Sequence, residues 1–108
     1  MNTKGLWTVE FQTSKAWTNG GVVVLYDEKV LGGDSQYFYA GTFREQGDNI
    51  TAEITATHYH GPVSTQFGTR ERSYQLYMAG KRNGGTVNGH TWRLAAPSQK
   101  MALRMIKR

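Results

Sequence analysis

The clearest fold signal in this chain lies in residues 20–34, which read Gly20-Gly21-Val22-Val23-Val24-Leu25-Tyr26-Asp27-Glu28-Lys29-Val30-Leu31-Gly32-Gly33-Asp34. The β-branched valines suit a pleated, packed surface, so the first half of this stretch predicts a strand. The polar residues Asp27-Glu28-Lys29 predict a turn, where an aspartate can bond the local backbone. The glycine pair at the end permits backbone approaches that a Cβ would forbid. The stretch predicts a β-hairpin, and by itself it indicates no reaction.

Alternation of apolar and polar residues extends the strand prediction to both sides of this hairpin. In a first strand, Gly5 to Thr13, the apolar side chains share one face. The mostly polar residues from Ser14 to Asn19 predict a connection, and Gly89 inside a later strand predicts a bulge or a sharp bend. The other predicted strands run over Tyr37 to Glu45, Ile50 to Tyr59, Arg72 to Ala79, Thr86 to Leu94 and Met101 to Ile106.

About eight strands at spacings of roughly ten residues, separated by turn signals, predict an all-β protein. Short turns between consecutive strands favour an antiparallel, up-and-down arrangement. Eight such strands can close into a barrel, which removes the exposed sheet edges. A sandwich of two sheets gives much the same pattern and stays open as the alternative.

Length and composition set bounds on the rest. The 108 residues predict a single domain, 1–108. The chain has no cysteine, which excludes disulfides and thiolate metal sites and fits a reducing compartment. Residues Met1 to Gly5 lack the apolar run of a signal peptide, and no stretch reaches the length of a membrane span. We therefore expect a cytoplasmic protein.

Charge is unevenly placed along the chain. Residues 1–69 hold four bases and seven acids, a net charge of −3, whereas residues 70–108 hold nine bases and one acid, a net charge of +8. Such asymmetry is typical of a surface for nucleic acid or an acidic partner. The alternative is a basic face that is solvated and binds nothing. Charge alone favours this alternative.

Residues that could carry chemistry are few. His58-Tyr59-His60 places two imidazoles on one side of a strand, as metal chelation can use, but no acid follows in Gly61 to Ser64. Ser35 lacks the Gly-x-Ser-x-Gly context of a catalytic serine. Asp34 is predicted to bond backbone N–H groups in a turn. The sequence therefore predicts no catalytic residue, no metal site, no cofactor and no enzymatic activity.

A family resemblance rests on the hairpin and its continuation. The segments Gly21 to Leu25, Leu31 to Ser35 and Tyr37-x-Tyr39-x-Gly41 resemble the GrlR-like group, small bacterial proteins named for the negative regulator of a type III secretion activator. The resemblance implies a lipocalin-like, eight-stranded barrel with an apolar cavity, commonly a homodimer. The named member represses by binding a helix-turn-helix activator through a loop of four alternating acids. The corresponding segment here, Arg44-Glu45-Gln46-Gly47-Asp48, carries two acids.

Three functions compete on these grounds. The leading hypothesis is a non-enzymatic regulator that binds a protein partner, such as a transcriptional activator. The second is a carrier of a small lipophilic molecule, and the third is a nucleic-acid-binding module that uses the basic C-terminal third. Nucleic acid is the least favoured partner. For an apolar cavity, the predicted lining is Trp7, Val9, Phe11, Val22, Val24, Tyr39, Phe43, Ile54, Leu76, Leu103 and Met105.

Overall fold

The computed structural model describes residues 3–13, 16–65, 67 and 69–108. Every strand in it is antiparallel to its neighbours, and the first also pairs with the last, so the sheet closes into an up-and-down barrel in sequence order. The predicted fold is confirmed, and the sandwich is excluded. The eight strands are β1 (Gly5–Thr13), β2 (Ala16–Tyr26), β3 (Lys29–Gly33), β4 (Tyr37–Gln46), β5 (Asn49–His58), β6 (Ser73–Asn83), β7 (Thr86–Arg93) and β8 (Met101–Lys107).

The hairpin between β2 and β3 turns on two residues. Tyr26 pairs with Lys29, and the intervening Asp27 and Glu28 have positive φ angles of 52° and 62°. Two successive left-handed residues are the mark of a type I′ turn, whose twist matches that of the flanking strands. The predicted three-residue turn was therefore one residue too long, because Lys29 already belongs to β3.

The start of β2 also differs from the prediction. The strand begins at Ala16, so the predicted connection is wrong from that residue onward. Ser14 and Lys15 lie outside the described residues. The polar side chains between Ala16 and Asn19 misled the prediction because this end of the strand is largely exposed and needs no apolar face.

A β-bulge near the middle of β2 reverses its alternation. Val9 pairs with Gly21 and Glu10 pairs with Asn19, so one glycine, Gly20, has no partner opposite it. An extra residue shifts the following side chains to the other face of the sheet. Consequently Trp17 is exposed whereas Val23 is buried. Without the bulge, the side chains of these two odd-numbered residues would lie on the same face of the strand.

The bulge predicted at Gly89 is wrong. This glycine pairs with Gly80 on β6 and Leu103 on β8, and neither register shifts there. A Cβ at position 89 would overlap the carbonyl oxygen of Ala79. The glycine is there because the two backbones approach closely and leave no room for a side chain.

The barrel interior holds one continuous apolar core. Most of the predicted inward residues lie there, but Val22 and Val24 do not: their side chains are 45% and 42% exposed on the outside. Val23 and Leu25 take their place, with exposures of 4% and 1%. The run from Val22 to Tyr26 is apolar throughout, so no polar residue indicates which side chains face outward. A shift of one residue in the prediction exchanges the inward and outward side chains.

The close approach at the bulge gives a stability prediction. Gly21 has a φ of +95°, and a Cβ there would overlap the carbonyl oxygen of Gly33. Gly47 has a φ of +63° with open space around it. Gly47→Ala should cost about 1 kcal/mol through backbone strain alone. Gly21→Ala should cost about 3 kcal/mol or more, because strain and overlap act together.

Urea unfolding of the two variants measures this difference. Equal losses at the two glycines would contradict the packing of β2 against the end of β3.

Candidate functional site: the barrel interior and its outer faces

The interior contains a small apolar cavity of about 40 Å³. Tyr39 and Thr91 supply the only hydroxyl groups among its described lining residues. Eight of the predicted lining residues border it: Val9, Phe11, Tyr39, Phe43, Ile54, Leu76, Leu103 and Met105. Seven further lining residues escaped the prediction: Val23, Leu25, Val30, Ile50, Ala52, Met78 and Thr91.

Trp7, also predicted to line the cavity, is buried but lies away from it. Its side chain is 0% exposed, and its indole N–H donates to the carbonyl oxygen of Thr3 at 2.8 Å. Trp7 therefore packs in the core near the end of the barrel that holds the N-terminal segment. The residue belongs to the core and not to the cavity wall.

Some of the missed lining residues had a readable signal. Ile50 and Ala52 alternate in phase with Ile54, and Met78 is in phase with Leu76. For β2, the charge on Lys29 at the start of β3 indicated which side chains face outward. A charged side chain lies outside the barrel, and Tyr26 on β2 pairs with Lys29 and shares its face. Val24 and Val22 alternate in phase with Tyr26 and therefore also lie outside.

The cavity is small for the ligands that a barrel can carry. Pockets for drug-sized molecules have volumes of roughly 300–1,000 Å³, whereas this one has about 40 Å³. Both hydroxyls on its wall are already bonded: Tyr39 donates to Asp34 Oδ2 at 2.8 Å, and Thr91 donates to the carbonyl oxygen of Tyr77 at 2.8 Å. With the side chains in these positions, the interior has room for only a few atoms.

Asp34 organises the turn between β3 and β4. Its Oδ1 accepts hydrogen bonds from the backbone N–H groups of Gln36 and Tyr37, both at 2.8 Å. Its own carbonyl oxygen accepts from the Tyr59 hydroxyl at 2.5 Å. The predicted turn-bonding role is confirmed. Together with the Tyr39 bond, these contacts hold the end of the barrel at which β3 turns into β4. We call this end the mouth.

Burial changes the acid–base properties of the tyrosines near this mouth. Burial first, and then the charge of Asp34 and its hydrogen bond, raise the pKa of Tyr39 well above 10. Burial and the neighbouring Tyr37 raise the pKa of Tyr74 in the same direction. These phenols stay protonated, so they serve as hydrogen-bond donors and packing groups.

The histidine pair is used locally. His58 Nε2 lies 2.7 Å from the carbonyl oxygen of Gly61, and its ring makes an edge contact with Tyr37, 5.5 Å between centroids. Among the described residues, no group of three or more histidine, aspartate or glutamate side chains could hold a metal ion. The pair therefore helps to close the loop after β5.

A strip of apolar side chains runs across the outside of β1 to β4. Val24 pairs with Leu6 on one side and with Leu31 on the other. Leu31 in turn pairs with Ala40. Phe38, next to Ala40 on the same face, is 46% exposed, and Leu31 is 52% exposed. We call Leu6, Val22, Val24, Leu31, Phe38 and Ala40 the apolar strip.

The strip contrasts with the outer face of the next strand, β5. On β5 the outward positions are Thr51, Glu53 and Thr55. Monomeric proteins rarely leave large connected apolar patches in water, and such patches commonly mark sites of protein contact. The strip is therefore the strongest candidate interaction surface on this barrel.

The turn in the place of the acidic loop has a structural role. The Glu45 carboxylate accepts a hydrogen bond from the Thr3 hydroxyl at 2.5 Å and lies 3.9 Å from Arg82 Nε. Both acids of this turn, Glu45 and Asp48, are exposed, and the Glu45 carboxylate is engaged by Thr3 and Arg82 at this end of the barrel.

Comparisons with known proteins add no family. No protein-family model and no curated protein matches the chain. Within the ranges that the structure describes, no helix has the length and apolar character needed to cross a membrane.

The division between inside and outside predicts unequal costs for two leucines. Leu76 is 8% exposed against the cavity, and Leu31 is 52% exposed on the apolar strip. Leu76→Ala should lower the free energy of unfolding by about 2–5 kcal/mol, because it removes buried contacts and enlarges the cavity. Leu31→Ala should cost below about 1 kcal/mol. Denaturant unfolding compares the two; a reversed order would contradict the assigned faces.

The buried phenols predict a loss of stability in alkali. The pKa values of Tyr39 and Tyr74 in the folded chain lie above the ordinary value of 10. The folded state then holds protons that the unfolded state releases above pH 10. Their contribution is complete below pH 10 and decreases above it, by up to about 1.4 kcal/mol per pH unit for each tyrosine.

Unfolding at pH 9, 10 and 11 measures this slope, and Tyr39→Phe provides the comparison. The variant should lose less stability per pH unit than the parent chain. Identical slopes would contradict a protonated Tyr39 in the folded state.

Proposed function

We propose that this chain is a non-enzymatic binding protein of the GrlR-like type, which regulates by contact with other protein chains. The observation that supports this most directly is the apolar strip, where five large side chains and Ala40 face outward on four adjacent strands. Water around such a surface favours its burial against another apolar surface. The residues of the hairpin and of β4 supply the resemblance to the group.

The size of the interior supports protein contact over transport. A carrier of a lipophilic molecule needs a volume that the 40 Å³ cavity does not provide. A ligand of that class would have to displace core side chains such as Phe11 or Leu103, each of which is below 8% exposed. Regulation through the outer surface requires no such repacking.

The occupant that we assign to the apolar strip is a second copy of the chain. The strip is formed by successive strands of one sheet, and a two-fold axis through it would place Val24 and Leu31 of one copy against the same residues of the other. Such self-complementary, apolar centres with polar rims are typical of homodimers. Lys29, exposed on β3 at the end of the strip, supplies part of that rim.

The regulated partner in this proposal is a transcriptional activator, as the resemblance implies, and type III secretion is the process. Glu45 is engaged with Thr3 and Arg82, so the turn at 44–48 offers too little free negative charge for recognition by an acidic loop. An activator bound by this chain would therefore contact a different surface of the dimer.

The dimer predicts a specific effect of charge on the strip. Leu31→Lys should weaken self-association about 100-fold or more, because each interface would bury two unpaired ammonium groups. Gln75→Lys, an equal charge change at an exposed position on β6, should leave association unchanged.

Sedimentation velocity over a range of concentrations is the measurement, with circular dichroism to verify that both variants fold. A parent chain that stays monomeric at high concentration would contradict the dimer. So would a Leu31→Lys variant that associates as strongly as the parent.

A further inference from the structure

A second surface lies on the far side of the barrel from the apolar strip. The outward side chains of β6, β7 and β8 surround a shallow groove of about 680 Å³. Its floor includes the small outward residues Ala79 and Ala102 and the backbone of Gly80 and Gly89. Gly80 and Gly89 are paired across β6 and β7 at positions that alternate with outward ones. We call this groove and its walls the basic trough.

Two tryptophans lie on this outer face. Trp17, 37% exposed, lines the groove itself. Trp92 stands beside it, two residues along β7 from the groove-lining His90, and packs against Tyr77 with ring centroids 6.1 Å apart. Aromatic side chains stack on nucleic-acid bases of any sequence, because every base has a π-face.

Cations accompany both tryptophans. Lys100 Nζ lies 5.0 Å from the centre of the Trp92 ring, and the Arg104 guanidinium lies 4.3 Å from that of Trp17. Lys81 is exposed on the wall of the groove. Positive charge and aromatic rings thus share this outer face, and proteins combine the two to bind the backbone and bases of a single strand.

The remaining charges of the C-terminal third are placed elsewhere. Arg93 pairs with Glu71 at 2.7 Å near the mouth of the barrel, and Arg82 lies near Glu45 at the opposite end. On the trough itself, Arg104 pairs with Glu10 at 3.0 Å, which holds its guanidinium against Trp17. Lys81 and Lys100, two of the nine bases of residues 70–108, are exposed on the same outer face as the aromatic rings.

We propose that the basic trough binds single-stranded nucleic acid. Phosphates would contact Lys81 and Lys100, and unpaired bases would stack on Trp17 and Trp92. The small floor lets a planar base approach the sheet, where exposed Asn88 and His90 offer hydrogen-bonding groups. A duplex hides the faces of its bases and cannot use the stacking positions. The site is distinct from the apolar strip, because none of the six strip residues lines the groove.

The test uses the full chain and a labelled oligothymidylate of roughly 12 nucleotides, a length within the usual range for one small barrel. Fluorescence anisotropy should show binding at low salt that weakens as salt rises, with a log–log slope of about −0.7 for each lysine–phosphate contact. Tryptophan emission should be quenched on binding. No binding at low salt would overturn the proposal.

Matched variants separate a specific site from general charge. Lys81→Glu should weaken binding about tenfold, whereas Arg70→Glu, the same charge change at an exposed position outside the groove and the apolar strip, should change it by less than about twofold. Trp17→Ala should weaken binding roughly 5- to 150-fold through lost stacking. Equal effects of Lys81→Glu and Arg70→Glu would overturn the site. Polyglutamate or duplex DNA bound as tightly as the single strand, with no effect of Trp17→Ala, would overturn the nucleic-acid assignment.

Discussion

The pairing of β1 with β8 is the constraint on which the rest of the structure depends. Val9 opposite Met105 and Phe11 opposite Leu103 join the two ends of the chain into one closed sheet. Closure satisfies the backbone groups that a free edge would leave to solvent, and it gives every strand an inner and an outer face. The inner faces fill a narrow core with a cavity of about 40 Å³, and both proposed binding surfaces lie on the outside.

Closure also explains why the two outer surfaces differ so sharply. Once the inner positions are fixed, the alternate residues of β1 to β4 must face outward, and these happen to be Leu6, Val24, Leu31 and Phe38. The alternate residues of β6 to β8 instead include the aromatic Tyr77 and Trp92, the small Ala79 and Ala102, and the basic Lys81 and Arg104. One barrel thus carries an apolar surface suited to protein and, on its opposite side, a basic and aromatic surface suited to an anionic polymer. The two proposals can therefore be tested separately.

Much of this fold could be predicted from the sequence, because period-two alternation is strong wherever one face is polar. It correctly placed Tyr39, Phe43 and Ile54 inside. It failed for Val22 and Val24, because an all-apolar run has no polar face to set its direction. It also could not foresee the extra residue at Gly20, which depends on pairing with β1. The apolar strip was missed for the same reason, since its central residues had been assigned to the interior.

Amide hydrogen exchange across β1 and β8 tests the closed barrel most directly. If the two strands pair as described, the amides of β8 around Leu103 and Met105 should exchange as slowly as those in the middle of β5, because both strands then lie within a continuous sheet. Fast exchange along β1 and β8, beside slow exchange in β4 to β6, would mean an open sheet with two free edges. That result would contradict closure and the assignment of inner and outer faces that follows from it.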